Sequence, residues 1–278
     1  MINSSSLLKP RQEYANQILA KLLLCRDYLY DEFHLPNRIP SCYVDDLLDA
    51  SDAKAIYGAF PSKEEMLLLK DMREYKYVTM QMDRVHPVLS EIIYAFQDQR
   101  IVSLISEITG LQQLLPDAEL YAGGISLMDK DCYLNPHLDN SHDRSRSHYR
   151  VLNLLYYVSP DWQDCYGGNL ELWDQGLKQP CRTIHCKFNR LVIMATNRTS
   201  WHSVSKVRHT GPRCCINNYY FSPQSPDAQD YAHVTSFRGR PNEKLRDTAL
   251  QIDMLLRNLA PRSLKNLIRK PQYYKQQR

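Results

Sequence analysis

Hydrophobic positions divide the chain into three stretches of different period. From about Lys9 to Gln113 the reading is mostly helical. Ile18, Leu22, Cys25 and Leu29 fall on one face of a helix over Tyr14 to Leu29, since residues three and four apart stack on the same side. Pro61-Ser62 followed by Glu64 and Glu65 reads as a helix start, with Ser62 as the cap and the acids facing the positive end of the helix dipole. Two further helices are predicted over Val88 to Phe96 and Ile101 to Ile108, and Gly110 suits the end of the second.

From Glu119 to Phe221 the period changes to that of short strands. Tyr149 to Val158, Asn169 to Trp173, Arg182 to Cys186, Leu191 to Thr196 and Cys214 to Phe221 are rich in β-branched, aromatic and aliphatic residues. Turn residues separate them, among them Gly167-Gly168, Asp174-Gln175-Gly176 and Gly211-Pro212. Such a run predicts a sandwich or barrel. Tyr149 to Val158 is apolar on both faces, with Leu152 and Leu154 on one and Val151 and Leu155 on the other. A strand of that kind is covered on both sides, so the amino-terminal helices are expected on the sheet's outer face. After Pro241 a helix returns, with Leu245, Ala249, Ile252, Leu256 and Leu259 as its stripe, Met254 and Leu255 widening it, and Pro261 as its stop.

Composition narrows the class. The apolar content is that of a globular protein, and no run of residues is long enough to span a bilayer. The eight cysteines include no C-x-x-C, which removes zinc-finger and thioredoxin readings. No secretory signal is read at the start, so reduced thiols and a cytoplasmic enzyme are the expectation. A net charge of +4 spread along the chain predicts no nucleic-acid partner. The tail from Arg262 to Arg278, basic and without acids, is expected to be a solvated end.

The informative segment is Asn135-Pro136-His137-Leu138-Asp139-Asn140. Residues two apart in an extended segment point the same way, so His137 and Asp139 present an imidazole and a carboxylate to one ion. A distal His202 follows the strand Leu191 to Thr196. Two histidines and a carboxylate leave coordination positions open, as non-haem iron(II) requires. The same residues also permit a structural zinc site. Gly167-Gly168 lacks the following helix and lysine of a phosphate loop, so that reading is rejected.

His137-Leu138-Asp139, His202, and Arg213 eleven residues further on resemble the H-x-D…H…R pattern of the iron(II)- and 2-oxoglutarate-dependent oxygenases. The segment Leu155 to Trp162 resembles the matching strand and turn of the prolyl 4-hydroxylase-like branch. Gly167 to Leu172, Lys187 to Leu191 and the strand Arg213 to Phe221 are similar in the same order. The resemblance covers roughly Tyr121 to Phe221. It implies a double-stranded β-helix, or jelly roll: a mainly β core with flanking helices (α+β), covered by helices from both ends of the chain. The expected division is a helical region over 1–113, the oxygenase core over 114–225, and a carboxy-terminal helix and tail over 226–278.

The resemblance further implies iron(II) on His137, Asp139 and His202, with 2-oxoglutarate and dioxygen as cosubstrates and ascorbate as a supporting reductant. Arg213 would pair the distal carboxylate of 2-oxoglutarate, a task suited to a planar fork of donors, and Tyr157 would add a hydrogen bond. The plainer readings are a surface cation for Arg213 and a core tyrosine for Tyr157. Asn153, Asn217 and Tyr219 are candidate inner lining by strand alternation. Cys215 departs from the serine or threonine common two residues after the arginine. Trp201 beside His202 is a candidate shield for the metal. The polar stretch Ser141 to Arg150, with His142 and His148, is expected to be a mobile loop at the mouth, where Asp143, Arg144 and Arg146 meet substrate. Asp139 argues against halogenation, because related halogenases replace this carboxylate. The expected reaction is hydroxylation of a small molecule, with release of succinate and CO2. The alternatives are a protein hydroxylase acting on a prolyl-type residue and a non-catalytic metal-binding relative. The oligomeric state is left open.

Overall fold

The computed structural model describes residues 9–227 and 229–259. The predicted stripe Ile18, Leu22 and Leu29 is fully buried, but on two helices, α1 (Arg11–Leu24) and α2 (Arg26–Phe33). The break falls at Cys25, whose φ/ψ of −103°/7° leaves the helical region. After α3 (Ala50–Gly58) come α4 (Pro87–Ala95) and α5 (Gln99–Thr109), close to the predicted spans. Asp98 caps α5 by accepting from the Arg100 amide, and Gly110 ends it at φ 72°, a conformation that glycine adopts without steric penalty.

The amino-terminal stretch is less helical than its sequence pattern suggests. Ser62 caps as predicted, its amide and hydroxyl both donating to Glu65 Oε2, yet it opens only a single 3-10 turn, Lys63–Glu65. Three strands also arise there: β1 (Ser41–Val44), β2 (Leu67–Lys70) and β3 (Glu74–Thr79). β1 and β2 are too short to declare a period of two; β1 forms by pairing with the distant segment Leu191 to Met194, and β2 by a hairpin with β3.

The remaining strands are β4 (Leu115–Pro116), β5 (Gly124–Met128), β6 (Tyr133–Leu138), β7 (Tyr149–Tyr157), β8 (Leu170–Leu172), β9 (Arg182–Ile184), β10 (Arg190–Ala195), β11 (His202–Val204), β12 (Arg213–Ser222) and β13 (Ser236–Phe237). They pair in the order β1-β10-β7-β12-β5-β3-β6-β11-β8-β9, with β2 on β3, β4 on β12 and β13 on β6. β3 joins the two halves. Its Tyr77 to Thr79 pair with β5, while Glu74 and Tyr75 pair with β6. The result is the expected jelly roll with flanking helices.

Alternation along β7 sorts two cores. Leu152, Leu154 and Tyr156 join Ile18, Leu22, Leu89, Ile92 and Ile105 in a cluster between sheet and helices. Tyr157 joins Val192, Met194, Leu172 and Cys215 between the two sheets. The amino-terminal helices therefore cover the outer face, as the doubly apolar strand requires.

The last helix, α6 (Lys244–Leu259), forms where expected, but its stripe does not face the body. Leu245 is 90% exposed and Leu256 63%, while Leu250 is the buried residue. Ion pairs hold α6 instead: Asp247 with Arg238, and Asp253 with Arg73. Pro261 and the basic tail Arg262 to Arg278 lie outside the described residues, as does the side chain of Leu259. Among the described residues no helix is long and apolar enough to cross a membrane.

Candidate active site

β6 and β11 run antiparallel with His137 directly opposite His202. This register brings the two imidazoles to a ring separation of 4.1 Å. His137 Nδ1 lies 3.0 Å from the Asn135 carbonyl, and His202 Nδ1 lies 2.9 Å from the Ser200 carbonyl. A carbonyl only accepts, so each Nδ1 carries the proton and each Nε2 is left with its lone pair. Both lone pairs point towards Asp139. His137 Nε2 is 3.7 Å from Asp139 Oδ1, and His202 Nε2 is 3.7 Å from Oδ2. The three ligand atoms lie within 4.8 Å of one another.

The electrostatics keep this donor set ready for a cation. Burial, then the neighbouring His202, pushes His137 down to about 3, which leaves it neutral at physiological pH. Burial alone would raise the Asp139 carboxyl. Arg150, His202 and His137 outweigh it and hold the group well below the usual carboxylate range. Two imidazoles and one carboxylate suit a divalent ion. Phe237 of β13 stacks on His137 at 5.2 Å and 19°, closing one side of the site. Trp201 does not take that role and is not among the lining residues.

The triad sits in a cavity of about 420 Å³ that is also lined by Arg213, Asn217 and Tyr219. Arg213 opens β12 and is 3% exposed. Its Nε donates to the Gly168 carbonyl at 2.9 Å, its Nη1 donates to Met128 Sδ at 3.7 Å, and its guanidinium also meets the Cys186 thiol. No carboxylate among the described residues pairs with it. Its guanidinium lies 4.7 Å from the Tyr157 ring centre, and the buried Tyr157 hydroxyl has no hydrogen-bond partner among the described residues. A buried cation without a counter-charge and an orphaned phenol are both unfavourable in a closed protein. An anionic ligand with oxygen acceptors corrects both at once, so these residues fit a carboxylate cosubstrate beside a metal. Tyr157 is not itself among the cavity-lining residues. Cys215 lines the wall two residues beyond Arg213, and burial pushes its thiol up to about 12, so it stays protonated.

Gly167-Gly168 has a use unrelated to phosphate. Gly168 sits at φ 70°, and a Cβ there would come within 3.3 Å of the Arg213 side chain. The glycine gives the arginine stem its room.

Arg150, at the junction of the expected loop Ser141 to Arg150 and the expected strand Tyr149 to Val158, carries no site role in the sequence reading. Arg150 lies on β7, is 5% exposed, and its Nη1 is 3.2 Å from Asp139 Oδ1. Asn153, expected as lining, donates from Nδ2 to Asp139 Oδ2 at 2.8 Å. The segment before Arg150 is held by hydrogen bonds of its own and by Ser141, whose hydroxyl accepts from the His233 amide at 2.9 Å. Asp143 accepts from the Ser147 amide at 2.9 Å and bonds His148 Nδ1 at 2.7 Å. Asp143, Arg144 and Arg146 do not line the cavity, whereas Asn140 does.

Residues 123–221 match the family model described as the 2OG-Fe(II) oxygenase superfamily. Among solved structures, the chain is similar to a prolyl 4-hydroxylase from Phytophthora capsici, with a TM-score of 0.53 and 16% identity over 92% of this chain and 77% of that one. It is also similar to a Pseudomonas putida prolyl-4-hydroxylase, with a TM-score of 0.50 and 12% identity over 75% of this chain and 98% of that one. No curated protein matches the chain. The family match spans the segments that carry His137, Asp139, His202 and Arg213, and the solved structures share the fold of the chain.

Proposed function

We propose that this protein is an iron(II)- and 2-oxoglutarate-dependent oxygenase that hydroxylates an unactivated C–H bond of a small molecule, with His137, Asp139 and His202 as the iron ligands and Arg213 and Tyr157 as the 2-oxoglutarate anchors. The observation that carries the site assignment is the paired set of Nε2 lone pairs, each 3.7 Å from one Asp139 oxygen. When bound, iron and 2-oxoglutarate supply the oxidising chemistry, with succinate and CO2 released. The chain supplies placement. The Asn135 and Ser200 carbonyls fix the imidazole tautomers. Arg213 and Tyr157 orient the dicarboxylate, and Phe237 keeps water from one side of His137. A cavity of about 420 Å³ lies within the range of small-molecule pockets, roughly 300–1,000 Å³, and this supports a small substrate over a polypeptide.

His137→Ala and His202→Ala test the ligand set. Each is expected to lose stoichiometric iron(II) in anaerobic dialysis, because two ligands hold an open-sided site poorly. Full iron retention in either variant would reassign the centre. Untargeted mass spectrometry of metabolites and of the proteome, with and without the enzyme, tests the substrate. A +16 Da product among metabolites supports the proposal, and one confined to prolyl residues in proteins replaces it with the peptide reading.

A further inference from the structure

We propose that Arg150 is a positioning residue that holds the Asp139 carboxylate in its metal-facing orientation, a role that rests on His137, Asp139 and His202 being the metal ligands. Asp139 lies just past the end of β6, beyond that strand's ladder. The torsion that turns its carboxylate plane is intrinsically soft, so the orientation is set from outside. Two donors set it. Asn153 holds Oδ2 at 2.8 Å, and Arg150 approaches Oδ1 at 3.2 Å.

Both donors come from β7, three residues apart. In a regular strand they would face opposite sides of the sheet. The ladder between β7 and β12 is irregular at this point. Asn153 pairs with Tyr219 and Leu152 with Tyr220, but Phe221 pairs with Arg150, which leaves Val151 as an extra residue. Val151 packs with Leu152 and Leu154 in the cluster between sheet and helices. The bulge thereby turns Arg150 onto the cavity face beside Asn153. Bulges commonly re-aim a side chain in this manner.

Arg150 is itself held in place. Its guanidinium lies 4.5 Å from the Tyr219 ring centre. Among the described residues its ion pair is with Asp139, and its Nε is buried without a partner. Charge alone would make this residue unfavourable for metal binding, because a buried cation repels an incoming dication. Orientation of the carboxylate acts in the opposite direction. The sign of the change in metal affinity therefore separates the two roles.

The test uses the full chain and manganese(II), titrated while the electron paramagnetic resonance signal of the free ion is followed, so that no turnover is required. Arg150→Met is expected to bind manganese about tenfold more weakly than wild type, the loss of one charge-assisted contact. Arg150→Lys, which keeps the charge without the fork, is expected to recover part of that loss. The 2-oxoglutarate KM of Arg150→Met, read from uncoupled succinate formation at saturating iron, is expected to stay within about twofold of wild type, since the Arg213 anchor is untouched. Unchanged or tighter manganese binding by Arg150→Met overturns the proposal. Should that variant fail to fold by circular dichroism, Arg150→Lys decides, and an affinity equal to wild type overturns it. Manganese retained by His137→Ala would instead sink the ligand assignment itself.

Discussion

The Arg213 guanidinium lies 4.7 Å from the centre of the Tyr157 ring, so the buried cation of β12 rests on the buried phenol of β7. Among the described residues Arg213 has no carboxylate partner and the Tyr157 hydroxyl has no hydrogen-bond partner. Removing each is expected to give a graded effect. Arg213→Ala should raise the apparent KM for 2-oxoglutarate roughly tenfold or more, the worth of a charge-assisted contact, with iron binding largely kept. Tyr157→Phe should raise it less, because a neutral hydrogen bond contributes about half as much. Initial rates of succinate formation against cosubstrate concentration check both. An unchanged KM in Arg213→Ala would move the anchor to another cation, and Arg208 is the nearest alternative in sequence.

Gly168→Ala should act on the same anchor from behind. The new methyl would meet Arg213 Cγ and Cδ and Val207 Cγ2 at 3.3 Å, on a backbone held at φ 70°. Forcing an L-residue into that conformation costs about 1–2 kcal/mol. A lowered melting temperature is expected together with a raised 2-oxoglutarate KM. A fall in stability with an unaltered KM would show that the arginine stem adjusts freely.

The legible parts of this molecule were those that a local period or a two-residue spacing encodes. The doubly apolar Tyr149 to Val158 announced both the buried strand and its helical cover. The spacing of His137 and Asp139 announced the shared face. Arg150 was not legible, because an unmarked bulge at Val151 reverses the alternation that sequence reasoning relies on. β1 and β2 were hidden by their shortness, since pairing rather than propensity forms them. The stripe of α6 misled for a related reason. The periodicity of Leu245, Ile252 and Leu256 predicted the helix but not its docking, which Asp247 and Asp253 provide through ion pairs.

Asp247 gives that docking a pH dependence. Its Oδ1 accepts from Arg238 Nε at 2.6 Å and from the Gly239 amide at 2.8 Å. The hydrogen bonds from Arg238 hold its carboxyl below the usual carboxylate range. A depressed carboxyl stabilises the fold above its unfolded value and loses that contribution as pH falls through the folded value. Asp247→Ala is therefore expected to lower stability by about 1–2 kcal/mol at pH 7, discounted for partial exposure. The gap between variant and wild type should narrow as pH falls below about 4. Urea melts at pH 7 and pH 3 measure it. A gap of equal size at both would assign the effect to packing rather than charge.

Asp139 decides the reaction type. It supplies the single carboxylate of the triad, and Arg150 and Asn153 hold it towards the two imidazoles. Purified protein given iron(II), ascorbate and 2-oxoglutarate is expected to form succinate slowly even without its own substrate, because the loaded site can consume the cosubstrate uncoupled. Asp139→Ala removes the charge that balances the ion and should leave at most a trace of that activity. Succinate quantified over time in wild type and variant, at matched protein and iron, is the measurement. Suppose instead that wild-type protein holds zinc tightly in dialysis and forms no succinate with any substrate mixture, and that Asp139→Ala only lowers the melting temperature. His137, Asp139 and His202 would then form a structural metal site on an oxygenase fold, and the two Nε2 lone pairs would serve stability rather than turnover.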